Sequence, residues 1–279
     1  MEADSYEVDE GMFLRKIRGT AIWFLKNLFR KLGVGVTSYA NLVDLQKRAL
    51  DSSRQDLEFL QAFGLANYAW MNTLLSKSKS QLRQDLFVLS EVGCKRGGYF
   101  VEFGATNGIY LSNTHLLETE FSWTGILAEP ARAWEKQLKA NRPNASIETL
   151  CVWKDSKSIL VFYETDNPGL STIDSFRSND YHRNSRSAGE KYEVQTISLN
   201  DLLMKHRAPK YIDYLSIDTE GSEYEILKAF DFDEYSVRII TVEHNYTPQR
   251  DLIFALLTSH GYIRKYESVS GVDDWYVKS

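Results

Sequence analysis

From about residue 95 onward, short β-rich runs alternate with helical stretches, and this alternation restricts the possible folds more than any other feature. The runs are "GGYFVEFG" (97–104), "TGILAEP" (124–130), "SIETLCVW" (146–153), "YIDYLSID" (211–218) and "VRIITVEH" (237–244). The helical stretches between and after them are "THLLETE" (114–120), "ARAWEKQLKANR" (131–142), "SEYEILKAF" (222–230) and "QRDLIFALLTSHG" (249–261). Strands alternating with helices specify a doubly wound, mostly parallel α/β sheet. The last stretch breaks the pattern. "YIRKYESV" (262–269), the turn "SGVD" and "DWYVKS" (274–279) read as a β-hairpin that closes the sheet in antiparallel fashion. In open α/β sheets ligands bind beyond the carboxyl ends of the strands. The residues just after each strand are therefore where function is read.

Residues 1–90 read instead as an N-terminal helical extension to a domain spanning 91–279, with no proline before Pro130. The piece "MFLRKIRGTAIWFLKNLFRKL" (12–32) is amphipathic. At about 100° per residue, Phe13, Leu14, Ile17, Ala21, Phe24, Leu25, Leu28 and Leu32 share one face, with Arg15, Lys16, Lys26 and Arg30 opposite. Such a basic helix suits contact with an anionic membrane surface, and equally suits packing on its own domain or in a homo-oligomer.

The net charge of −5 argues against a nucleic-acid partner, which selects a basic balance. The only cysteines, Cys94 and Cys151, form neither a CxxC pair nor a disulfide framework, so a reducing, cytoplasmic setting is expected. There is no apolar run long enough to span a membrane.

The first strand runs into "VEFGATNG" (101–108), where Gly104 and Gly108 let the backbone turn sharply. The G-x-x-x-G spacing is not the dinucleotide fingerprint, and the loop lacks the lysine and hydroxyl of a phosphate-binding loop. Glu129 ends the second strand about 20 residues later, where an acid can accept from both hydroxyls of a ribose. Glu102, inside the first strand, could hold a ligand's amino group.

"LSIDTEGSEYEIL" (215–227) places Asp218 and Glu220 at the end of the fourth strand, and Glu243, His244 and Asn245 end the fifth. Two acid clusters on adjacent strand ends converge on one crevice. Removing a proton from a hydroxyl needs a base within reach or a metal that lowers its pKa. In the metal-free version Asp218 or His244 is the base, with Glu220 beside them. In the metal version Asp218, Glu243 and Asn245, with Glu220 or His244 as further candidates, hold Mg²⁺ or Mn²⁺, as oxygen-rich donors would. Alternatively these acids merely order loops. Ser222 with Glu225 forms the pattern of a capping box, which leaves Glu223 and Glu225 without need of a catalytic role. Residues 165–193 read as a long polar insertion, in which Arg177, Tyr181, His182, Arg183 and Arg186 could contact a polar acceptor.

These stretches, with "SQLRQDLFVL" (80–89), "LSNTHLLE" (111–118), "GLST" (169–172), "TISLNDLL" (196–203) and "DDWYV" (273–277), follow in the order seen in FkbM-family methyltransferases, which the chain resembles over most of residues 80–279. The resemblance implies a Rossmann-like class I methyltransferase fold dependent on S-adenosylmethionine (SAM). It also implies O-methylation of a small-molecule, glycan or natural-product hydroxyl. Carried across, Glu102, Gly104, Ala105, Asn107 and Gly108 form the methionine-side loop. Glu129 takes the ribose, and Cys151 and Val152 border the adenine. A non-catalytic scaffold keeping this fold is the competing reading. A nicotinamide-dependent oxidoreductase fits neither the glycine spacing nor the terminal hairpin.

Overall fold

The computed structural model describes residues 39–165, 171–176 and 189–279. The amphipathic stretch 12–32 and the residues Arg177, Tyr181, His182, Arg183 and Arg186 lie outside the described residues. The chain divides into two compact units, Met1–Arg54 and Gln55–Ser279. The boundary falls within helix α1 (Tyr39–Leu74), which Gly64 interrupts with φ 71° and ψ 171°.

The second unit is built on a seven-stranded sheet. Its strands are β1 (Tyr99–Phe103), β2 (Thr124–Ala128), β3 (Ser146–Glu148), β8 (Tyr211–Ile217), β9 (Ser236–Glu243), β10 (Tyr262–Lys265) and β11 (Asp273–Lys278). Their spatial order is β10-β11-β9-β8-β1-β2-β3. All neighbours pair in parallel except β11, which runs antiparallel to both β9 and β10. The expected hairpin is therefore present.

Alternate residues of the central strands enter opposite cores. Val101, Phe103, Leu215, Ile217, Ile240 and Val242 pack against α5 (Leu199–Lys205), α6 (Glu223–Lys228) and α7 (Gln249–Ser259). Phe100, Tyr214, Ile239 and Trp275 face the other side. There they meet Phe59, Phe63 and Met71 of α1, Leu86–Leu89 of α2 (Gln84–Glu91), and Leu116 and Leu117 of α3 (His115–Phe121). Burial on both faces explains why these strands read as continuous apolar runs. Residues 55–91 thus contribute to one of the cores flanking the large sheet, with Phe87 stacked on Trp275 at 4.8 Å.

Two features depart from the sequence reading. "SIETLCVW" is not one strand. It splits into β3 and β4 (Cys151–Trp153), which belong to different sheets. The break is stabilised by Glu148, whose Oε1 accepts the amides of Thr149 and Leu150 at 3.0 and 3.1 Å. The segment read as a polar insertion also contributes strands. β5 (Ile159–Thr165), β6 (Thr172–Ile173) and β7 (Gly189–Ser198) join β4 in a second sheet, of order β4-β7-β5-β6. The first three residues of β5 are exposed or half-exposed. Among the described residues no helix is long and apolar enough to cross a membrane.

Candidate active site

A cleft with a cavity of about 120 Å³ opens at the carboxyl ends of β1, β2 and β8. Gly104, Glu129, Cys151, Val152, Asp218 and Glu220 all line it, which brings together six of the residues singled out from sequence. Tyr110 and Leu111 add a wall from the loop after Gly108, and Phe162, Ser171 and Ile173 reach it from the second sheet.

Gly104 shows why the turn needs glycine. Its φ is 73°, and a Cβ there would lie 2.0 Å from the carbonyl oxygen of Asp218. The ends of β1 and β8 therefore meet at that glycine, and the close approach is made by the chain's own backbone. Gly108, at φ 82°, makes room for the Arg142 side chain. Ala105, Asn107 and Gly108 do not line the cleft, and the loop is held by the chain's own hydrogen bonds. Asn107 Oδ1 accepts the amides of Ile109 and Tyr110 at 3.0 and 2.8 Å. Ala105 is fully buried and donates its amide to Ala128 O at 3.3 Å.

Glu102 does not line the cleft. It is buried beneath the loop, where it accepts from Ser112 Oγ at 3.0 Å, Asn113 N at 2.7 Å and Thr114 Oγ1. Arg142 was not foreseen, because nothing in the polar end of its helix, α4 (Arg132–Asn141), marks it. It is 1% exposed, pairs with Glu118 and donates to Gly108 O at 3.0 Å. Its charge opposes the rise that burial imposes on Glu102.

Glu129 spans the turn after β2. Its Oε2 accepts Thr106 N at 2.9 Å and its Oε1 accepts Ala131 N at 2.8 Å. Burial pushes its carboxyl up to about 7 against those two donors, and the nearby Asp218 and Glu164 charges add to the rise. Each carboxylate oxygen retains a second lone pair. Beside it, Pro130, Cys151, Val152 and Phe162 form an apolar surface, and burial raises the Cys151 thiol to about 12, so it is neutral.

At the end of β8, burial raises Asp218 to about 7 while a hydrogen bond with the Glu243 carboxyl opposes the rise. Glu243 is raised well above its ordinary value by burial and by the charges of Asp218, Glu220, Glu223 and Asp273. One oxygen from each of Asp218, Glu220 and Glu243 lies within 4.8 Å of the others. Asn245 Nδ2 is 3.5 Å from Glu220 Oε2. His244 is not brought to the cleft. Its Nδ1 accepts the Tyr246 amide at 3.0 Å and its Nε2 is 3.7 Å from Asp274 Oδ1. Burial holds its pKa below the usual histidine value.

The expected capping box does not form. Ser222 Oγ donates to Thr219 Oγ1 instead. Glu223 takes over by accepting Thr219 N at 2.9 Å and Gly221 N at 3.0 Å.

Numbering only the strands of the large sheet along the chain gives the order 3-2-1-4-5-7-6, with the seventh antiparallel. With acids at the ends of the second and fourth strands, this defines a class I SAM-dependent methyltransferase. The family model of the FkbM methyltransferase domain matches residues 102–266, and the chain belongs to that family.

Among solved structures, the FkbM methyltransferase of Methylobacillus flagellatus KT is similar at 12% identity and TM-score 0.43, covering 91% of this chain and 70% of that one. A putative RNA methyltransferase from Pyrococcus horikoshii is similar at 11% identity and TM-score 0.35, covering 70% and 81%. A putative caffeoyl-CoA O-methyltransferase from Staphylococcus aureus is similar at 11% and 0.36, covering 84% and 100%. These scores are too low to carry an argument, so the fold class rests on the strand order. No curated protein matches the chain.

Proposed function

We propose that this protein transfers a methyl group from SAM to a hydroxyl of a sugar, glycan or natural-product acceptor. The observation that carries the reading is the convergence of Glu129 and Asp218 on one cleft across the Gly104 turn.

The residues fit the cofactor. Glu129 has lone pairs left for two ribose hydroxyls, and Cys151, Val152 and Phe162 offer apolar surface for a flat base. When bound, SAM supplies an electrophilic methyl group on a positive sulfur. The chain then has to orient the acceptor, exclude water and take up one proton. Asp218 lines the cleft and lies at about 7, so it can accept a proton near neutrality. Glu220 lines the same wall, and Tyr110 and Leu111 give an acceptor ring an apolar face. The three clustered carboxylate oxygens favour a second form of the reading, in which they hold Mg²⁺ or Mn²⁺.

Calorimetric titration of the metal-stripped protein with SAM and S-adenosylhomocysteine tests the cofactor. Micromolar binding that weakens in Glu129→Ala is expected, and no binding by the wild type would overturn the reading. Methyl-labelled SAM and a panel of polyhydroxylated acceptors then test the product. Label on oxygen is expected, and label exclusively on nitrogen would overturn O-methylation.

A further inference from the structure

Glu148 is the last residue of β3, the edge strand of the large sheet. Its side chain is 3% exposed, and it does not line the cleft. Its Oε1 accepts the amides of Thr149 and Leu150 at 3.0 and 3.1 Å. Its Oε2 accepts from Lys205 Nζ at 2.7 Å and lies 3.1 Å from His206 Nε2. Its main-chain carbonyl accepts the Glu129 amide at 3.0 Å. Burial would raise the carboxyl, but Lys205, the Leu150 amide and His206 hold it below the ordinary glutamate value.

These contacts fix the path of the chain. A β-rich run such as 146–153 tends to continue as one strand. A carboxylate that accepts the next two amides occupies donors an extended strand would offer to a neighbour. The chain therefore leaves the large sheet after Glu148 and enters the second as β4, where Cys151–Trp153 pair with Thr196–Ser198 of β7. That displacement carries Cys151 and Val152 to the cleft. Lys205 and His206 stand at the C-terminal end of α5, whose Leu199, Leu202 and Leu203 share a core with Val152. A buried carboxylate is costly without charged and hydrogen-bonding partners, so Glu148 and that end of α5 hold each other in place. Glu129 and the Cys151–Val152 edge are the two sides of the part of the cleft suited to a nucleoside. The backbone of Glu148 holds the first side, and its carboxylate holds the second.

We propose that Glu148, clamped by Lys205 and His206, is a positioning residue for the nucleoside end of the cleft. It sets the separation between Glu129 and the Cys151–Val152 edge without touching the ligand, and so sets the affinity for the adenosine half of the methyl donor. The proposal rests on the methyl-donor reading above. Gly104 and Asp218, on the other side of the cleft, have no bond to the clamp, so the loss on breaking it belongs to the adenosine half alone.

The test is calorimetric titration of the full chain, well below its melting temperature, with S-adenosylhomocysteine and separately with adenosine. Glu148→Ala removes every side-chain bond of the clamp. It should weaken both ligands in equal proportion, by about tenfold or more, the equivalent of losing one hydrogen bond to a charged group. Glu148→Gln keeps one oxygen, for the two amides or for Lys205 but not for both, and should fall between wild type and Glu148→Ala. Lys205→Met, at an exposed position, tests the same clamp should Glu148→Ala not fold, and should also weaken both ligands. Lys210→Met, which breaks the exposed pair with Glu234, should bind as wild type does. In turnover, the KM for SAM should rise in the clamp variants while kcat at saturating SAM stays near wild type, a split that a general loss of stability would not produce. Affinities equal to wild type in Glu148→Ala, or in Lys205→Met where the former does not fold, overturn the proposal and leave the methyl-donor reading standing. A loss for S-adenosylhomocysteine with none for adenosine also overturns it. A wild type that binds neither ligand overturns the methyl-donor reading, and this proposal with it.

Discussion

At the scale of single residues, Gly104 and Glu129 do the most to shape the cleft. Gly104→Ala would place a methyl group 2.0 Å from a backbone oxygen, at a positive φ that side chains disfavour. Overpacking of this kind costs about 1–3 kcal/mol. A drop in the urea midpoint is expected together with loss of S-adenosylhomocysteine binding, because the ends of β1 and β8 must separate. Glu129→Gln keeps the shape and removes the charge. The amide nitrogen can no longer accept from Thr106 or Ala131, and a ribose loses a charged acceptor. Hydrogen bonds to charged groups are worth about 1.5–3 kcal/mol, which is roughly 10- to 150-fold in affinity. Calorimetry on the variant checks this.

At the scale of elements, the second sheet matters because it reaches back to the acid turn. Thr172 Oγ1 of β6 donates to Glu220 O at 2.9 Å, and Phe176 packs on Gly221, whose φ is 120°. Thr172→Val keeps the shape and leaves that carbonyl without its donor. A loss of about 1 kcal/mol is expected, with faster amide exchange confined to residues 219–221. Exchange mass spectrometry separates this from global unfolding. On the other side of the large sheet, α2 inserts Phe87 between Phe63 and Trp275. Phe87→Ala should cost about 3–5 kcal/mol by denaturant melting.

For the whole molecule, the fold carries carboxylates whose pKa values are raised. Glu129 and Asp273 move from 4.5 and 3.8 to about 7, in both cases chiefly through burial. Between those values the folded chain binds more protons than the unfolded one, so stability falls as pH rises through that window. The ligand-free protein should therefore melt at a higher temperature at about pH 5.5 than at about pH 8. Glu129→Gln should reduce the difference, and scanning calorimetry across pH measures it. The compact unit also predicts that a chain beginning at Gln55 melts cooperatively. A chain beginning after Glu91 forfeits Phe59, Phe63, Met71 and Leu86–Leu89 from one core and should not.

The sequence alone determined the large sheet, its terminal hairpin and the positions of Gly104, Glu129, Asp218 and Glu220. These are local signals. Apolar runs of strand length alternate with helical periods, and polar residues stand where a strand stops. What tertiary structure decided is which of those polar residues share a space. Only in three dimensions does Glu102 turn under the loop to Ser112–Thr114, while His244 turns toward Asp274. Glu243 likewise meets the acids Asp218, Glu220, Glu223 and Asp273 among the described residues. Arg142 and the second sheet carry no local mark, because their partners are distant in sequence: Arg142 donates to Gly108 and β4 pairs with β7. Side-chain direction at a strand end depends on what packs beside it, and that is settled when residues far apart along the chain meet.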